Sequence, residues 1–206
     1  AYDERRANVV STAWRITDAL RISSESGPAG QIDREIVGHA ITGLAMHFDP
    51  DYGGFGDAPK FPPHLVLDFL LRRIWQHADD VHVRRMVEQT LTGMADGGIH
   101  DQLGGGFHRY SVDRTWLVPH FEKMLYDNAL FASVYSLAFH VTDDPRWREV
   151  AERTFDYLVR EMRLPHGGFA ASQDADTPGG EGAFFVWWPA ELKRIMSNDE
   201  AAAVTV

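Results

Sequence analysis

With 206 residues, 44% of them hydrophobic, the chain has ample apolar material for a packed core. Its formal net charge of −10 works against the clustered Lys and Arg that hold nucleic acid or an anionic membrane. There is no cysteine, which excludes disulfides, thiol catalysis and cysteine-ligated metals. No apolar run approaches the roughly 18 residues of a transmembrane helix. The first twenty residues carry Asp3, Glu4, Arg5, Arg6, Arg15 and Asp18, which is no signal peptide. The expectation is a cytoplasmic protein without nucleic-acid or membrane partners.

Residues 3–24 read as a helix with Val9, Val10, Ala13, Ile16 and Leu20 on one stripe, followed by a loop over 23–30. Gln31 or Asp33 opens a second helix, with Ile36, Val37, Ala40, Ile41, Leu44 and Phe48 on its stripe. The run DPDYGGFGDAPKFPP breaks it. Pro62 and Pro63 start a third helix, Leu65–Ala78, apolar almost all round. Asp79 and Asp80 cap a fourth, carrying Val83, Met86, Val87, Thr90, Leu91 and Met94. A polar, glycine-rich loop from Gly97 then leads to Pro119, the predicted start of a fifth helix reaching about Val141. Asp143 or Asp144 caps a sixth, with Pro145 in its first turn and an end near Leu164. FAASQDAD and GAFFVWW flank TPGGE as a predicted β-hairpin within 167–188, and Pro189 begins a seventh helix. The end after Asp199 carries no clear signal.

Gly-Gly-Phe occurs three times, at 53–55, 105–107 and 167–169, each time after one helix and before the next elements. Repetition at a fixed structural phase points to an all-α array of αα-hairpins with short β-hairpins in the Gly-rich loops. In such an array the three loops lie at one end. If the array curves closed, they meet over one cavity.

APKFP at 58–62, GGIHDQLGGGFHRYSVD at 97–113, WLVPHFEKMLYDNA at 116–129 and SQDAD with EG at 172–182 carry a family resemblance. The chain is similar to the thioredoxin-domain-containing, spermatogenesis-associated protein 20-like family. The resemblance implies a toroid of six helix pairs, (α/α)6, related to N-acylglucosamine 2-epimerases and six-hairpin glycosidases. On this reading residues 1–206 form a single domain, roughly half of a toroid, with the family's thioredoxin-like domain absent. It also implies a carbohydrate-type site, either a sugar epimerase or isomerase or a glycosidase-like hydrolase. The alternative is a non-catalytic module that binds a small ligand or a protein. A half toroid also leaves apolar faces uncovered, so self-association through an open edge is expected.

Candidate catalytic residues are His108, His120, Glu122 and Asp174. A neutral histidine can move the proton that epimerisation requires. Paired carboxylates suit glycoside hydrolysis, and Asp174 and Asp176, two apart on a strand, would face one side. The competing reading has both aspartates satisfying backbone N–H groups around the TPGG turn. Candidate substrate-binding residues are Asp57, Lys60, Arg109, Tyr110, Trp116, Asp127 and Asp176, with Tyr110 and Trp116 as stacking platforms. The more ordinary roles are a structural pair for Arg109 with Asp101, and a surface pair for Lys123 with Asp127. The histidine spacing suggests no metal site, an EF-hand loop fails at Pro178 and Phe185, and no cofactor is expected.

Overall fold

The computed structural model describes residues 5–24, 33 and 35–204. The chain divides into two compact units, residues 1–39 and 40–206. The first contains α1 (Arg6–Ser24). The expected loop over 25–30 and the possible opener Gln31 lie outside the described residues. α2 (Ile36–His47) is opened by Asp33, whose carboxylate accepts from Glu35 N at 2.8 Å.

In the second unit α3 (His64–Gln76) packs on α4 (Val81–Asp96), and α5 (Leu125–Thr142) packs on α6 (Pro145–Tyr157). α3 also lies against α5. These are αα-hairpins laid side by side, and two short helices follow, α7 (Pro189–Ile195) and α8 (Asn198–Val204). The core runs continuously from Leu67, Leu70, Leu71 and Ile74 on α3, through Val87, Leu91 and Met94 on α4, to Phe131, Tyr135 and Trp147. α5, between α3 and α6, buries Phe131, Ala132, Val134, Tyr135 and Ala138, whereas the expected all-round burial of α3 does not hold: Leu67, Leu70, Leu71 and Ile74 are buried, and Leu65 and Trp75 are exposed. Asp80 caps α4 by accepting from Val83 N, and Asp144 caps α6 ahead of Pro145. α6 ends in a π-helical turn, Leu158–Met162.

The strands are two-residue pairs. β1 (Tyr110–Ser111) pairs with β2 (Pro119–His120), and β5 (Asp176–Thr177) with β6 (Gly180–Glu181). The expected hairpin over 167–188 is therefore confined to the TPGGE turn. The remaining pair is long-range: β3 (Lys123–Met124) joins β4 (Ser172–Gln173). These ladders correct the predicted start of α5. Pro119 lies in β2, Arg109 N donates to Glu122 O at 2.8 Å, and Leu125 N donates to Ala171 O at 2.9 Å. The backbone over 119–124 is consumed by sheet pairing, so the helix begins at Leu125.

The three Gly-Gly-Phe loops share one conformation. Both glycines of each copy have positive φ, from +71° to +86°, where a side chain is strained. An antiparallel bridge closes each loop: Phe48 to Phe55, His100 to Phe107, Arg163 to Phe169. The first two also share a buried lysine. Lys60 Nζ reaches Asp49 at 2.6 Å and Gly53 O at 2.7 Å. Lys123 Nζ reaches Asp101 at 2.7 Å and Gly105 O at 2.9 Å. Leu164 occupies the corresponding place before the third loop, so that loop has no such staple.

A candidate functional site at the starts of α3 and α5

The polar groups gather where α3 and α5 begin, because the loops and ladders that precede those helices converge there. Arg109, just before β1, and Tyr110 in it come from one side, the β2–β3 segment presents His120 and Glu122, and the β5–β6 hairpin adds Glu181. Arg109 donates to Glu122 at 2.9 Å. His120 Nδ1 lies 2.6 Å from Glu181 and its Nε2 lies 3.6 Å from Glu122. The network is half open to solvent. Tyr110 is held between rings, stacked on Phe61 at 4.8 Å and tilted against His120 at 5.0 Å. The exposed aromatic face therefore belongs to Phe61.

Beside this network His64, the first residue of α3, faces Asp127 in the first turn of α5, with Nε2 3.9 Å from the carboxylate. Both are buried. Burial pushes Asp127 up to about 6, against the opposing pull of Tyr126 and Arg109. Burial alone pulls His64 down to about 4, so its imidazole is neutral near pH 7. Neither His64 nor Glu181 stood out in the sequence. The available signals were weak: a histidine directly after Pro62-Pro63, and a glutamate next to the TPGG turn.

Other expected site residues lie elsewhere, for identifiable reasons. Trp116 is fully buried and donates to Tyr52 O at 3.0 Å. Gly54, Gly93 and Gly97 leave the room its ring and backbone occupy, so it is a core plug rather than a platform. Lys60 is spent on Asp49 and Gly53, and is only 1% exposed. Asp57 stands in solvent, 3.8 Å from Arg114. His108 is buried, with Nδ1 3.0 Å from Phe121 O, and burial takes it down to about 4. Asp174 precedes β5 and accepts from Asp176 N at 3.0 Å, the turn-capping role weighed against catalysis. Asp174 nevertheless follows Gln173, which pairs with Lys123, so its backbone runs beside Glu122. The anticipated ion pairs are exchanged as well. Asp101 pairs with Lys123, which frees Arg109 for Glu122, and Lys123 and Asp127 are both buried, so they form no surface pair. The residues brought together are thus Arg109, Tyr110, His120, Glu122 and Asp127, joined by Phe61, His64 and Glu181. Among the described residues no group of three or more His, Asp or Glu is placed to hold a metal ion.

This helix-pair architecture is that of an (α/α) toroid. The cellobiose 2-epimerase from Spirochaeta thermophila DSM 6192 matches with a TM-score of 0.61 at 19% identity, over 67% of this chain and 37% of that one. A sugar epimerase from a ruminal bacterium matches with a TM-score of 0.59 at 15% identity, over 79% of this chain and 49% of that one. At such identities the likeness is one of fold. In sequence the chain is 38% identical over 211 residues to spermatogenesis-associated protein 20 of Mus musculus, covering 95% of this chain. It spans about a quarter of the length of that relative, 26%. No protein-family model matches the chain. No helix among the described residues is long and apolar enough to cross a membrane.

Proposed function

We propose that this chain supplies acid–base residues to a sugar site, and that the reaction is proton transfer at the carbon next to a sugar carbonyl, as in epimerisation. The observation that carries this reading is the histidine between two carboxylates at the mouth of α3 and α5. Glu181 holds His120 Nδ1, which leaves Nε2 as the nitrogen that exchanges a proton. Arg109 fixes Glu122 beside that nitrogen. In the step itself the base takes the proton from C2, and the bonding pair moves into the C1 carbonyl to give an enediolate. A proton returned to the opposite face inverts C2. His120 serves one face, and the other face requires a second acid–base group. Phe61, exposed beside Tyr110, offers a surface for the C–H face of a sugar ring. Two sugar epimerases among the structural neighbours support the sugar assignment.

The test is solvent exchange. The native protein carrying this chain is incubated with cellobiose, D-glucose or D-mannose in D2O, and deuterium at C2 is read by NMR. His120→Gln is expected to lower the exchange rate by roughly 10²–10⁴-fold, the usual worth of a general acid–base group. Absence of exchange on all three sugars in the wild type overturns the reading.

A further inference from the structure

A cleft of about 540 Å³ opens between Leu103 and Gly104 of the second Gly-Gly-Phe loop, Arg160 and Glu161 of the π-helical turn, and Phe184 and Trp187 after β6. It adjoins a narrower space of about 140 Å³ that reaches inward to Lys123, Tyr157 and Gln173. The two share Asp101, Gly104, Arg160, Glu161, Phe184 and Phe185, so they are parts of one cleft. Its outer walls are open to solvent: Leu103 is 80% exposed, Phe184 71% and Trp187 49%. Phe121 and Lys123, which alternate with His120 and Glu122, both touch the Phe185 ring, at 5.7 and 5.0 Å. Alternate residues of an extended segment face opposite sides, so the cleft lies behind the His120–Glu122 network.

The lining selects the occupant. A space of this size, walled by aromatic rings and a few polar groups, has the character of a small-molecule site. Its charges cancel in pairs, Asp101 with Lys123 at 2.7 Å and Glu161 with Arg160 at 2.7 Å, so the cleft favours neither an anion nor a cation. An apolar occupant would strip water from the ion pairs and return no hydrogen bonds. A neutral sugar meets both demands. Its C–H face covers the Trp187 or Phe184 ring, and its hydroxyl edge bonds the Glu161–Arg160 pair. At the inner end Tyr157 O–H donates to Gln173 Oε1 at 2.9 Å, which leaves the Gln173 amide N–H groups to donate to a further hydroxyl. We infer that this cleft is a second sugar site, which binds a neutral mono- or disaccharide behind the His120–Glu122 network. It needs no proton transfer at His120 to hold its ligand.

The experiment is ¹⁹F NMR of the native protein carrying this chain, labelled with fluorotryptophan and titrated with cellobiose, D-glucose, D-glucuronate and D-glucosamine. The Trp187 signal is assigned with Trp187→Phe. Trp75, which is exposed on α3 and does not line the cleft, is the control for unspecific stacking. Cellobiose and D-glucose are expected to move the Trp187 signal saturably and to leave Trp75 in place. D-glucose should bind more tightly than its charged relatives, because the cleft's own charges are already paired. Glu161→Gln, on a half-exposed side chain, should weaken both neutral sugars about tenfold and turn the preference towards D-glucuronate, since Arg160 then lacks its carboxylate. A Trp187 signal that neither neutral sugar moves, or that moves only in parallel with Trp75, overturns the inference. So does a wild type that prefers either charged sugar, or a Glu161→Gln variant that binds all four as the wild type does. Saturable movement of Trp187 without deuterium exchange at C2 sinks the epimerisation and leaves the cleft standing. Exchange in a protein whose Trp187 signal stays still does the opposite.

Discussion

Lys60 and Lys123 are both removed from water, yet their settings differ in one respect that can be measured. Asp101 has Lys123 as its ammonium partner, and the pair holds the Asp101 carboxyl below its ordinary value although burial works against it. Asp49 is shared, because Arg114 grips it at 2.8 and 2.7 Å while Lys60 holds it from inside. Lys123→Met should therefore strand a largely buried carboxylate and cost about 3–5 kcal/mol. Lys60→Met should cost less, because Arg114 still neutralises Asp49. Urea unfolding of the two variants checks the order, and equal losses would mean that Arg114 does not compensate. Neither burial was legible from residue type, since a lysine in a polar stretch reads as a solvated charge. One signal was present: aspartate falls four positions before Gly-Gly-Phe at Asp49 and Asp101 but not before the third copy. Arg109, Tyr110, His120, Glu122 and Asp127 were legible as a group because polar and aromatic residues crowd one glycine-rich loop. His64 and Glu181 were not, because they reach the site from α3 and from the β5–β6 hairpin, through contacts between segments distant in sequence.

At the level of elements, the Gly-Gly-Phe loops give a matched pair. Gly106 and Gly168 share the same φ of +75°, so the backbone strain on adding a methyl group is the same. They differ in packing. A Cβ on Gly106 would collide with the Tyr157 ring and meet Asn128 Oδ1 at 2.9 Å, whereas Gly168 has nothing within 4 Å. Gly168→Ala is expected to cost about 1–2 kcal/mol from the left-handed conformation alone. Gly106→Ala should add roughly 1–3 kcal/mol of overpacking to that. It should also disturb Asn128, which joins the loop to α5 by bonding Phe107 N at 2.7 Å and Phe107 O at 3.0 Å. Denaturant midpoints of the two variants test the difference. The loops were readable because glycine pairs at fixed phase announce positive φ; α3, α4 and α6 were readable from their apolar spacing, with Pro62 and Pro63 opening α3 and aspartates capping α4 and α6. The start of α5 was misread because proline fits the first residue of a helix and the end of a strand equally well. Pairing decided between them: Pro119 lies opposite Ser111 of β1, and the partner of Lys123 and Met124 lies near residue 172, a distance at which no local pattern reports a pairing.

Over the whole molecule, three buried imidazoles set the response to acid. Burial pulls His64, His100 and His108 from an ordinary 6.5 down to about 4 each. Between those values the unfolded chain binds these protons and the folded chain does not. Stability from these groups is thus complete above pH 6.5 and is lost as pH falls towards 4. Asp127 opposes them in part, because a carboxyl raised from 3.8 to about 6 takes up its proton in the folded state first. Three groups against one predicts a net fall in the thermal midpoint from pH 6.5 to 4. Asp127→Asn should steepen that fall. A midpoint flat across this range would show that the imidazoles are not shielded as described.

The ladder between loops also bears on the order in which the protein is made. Lys60 exchanges both backbone hydrogen bonds with Ser111, and Lys123 pairs with Gln173, each partner lying about fifty residues further along. A nascent chain leaves the ribosome from its N-terminus, so the first loop has its glycines and its aspartate well before it has the segment that clamps its lysine. Each turn of the array is finished by its successor. A ribosome paused between residues 60 and 111 would therefore display an unclamped lysine and an unfilled socket for Trp116, the kind of surface that a chaperone or a protease meets first.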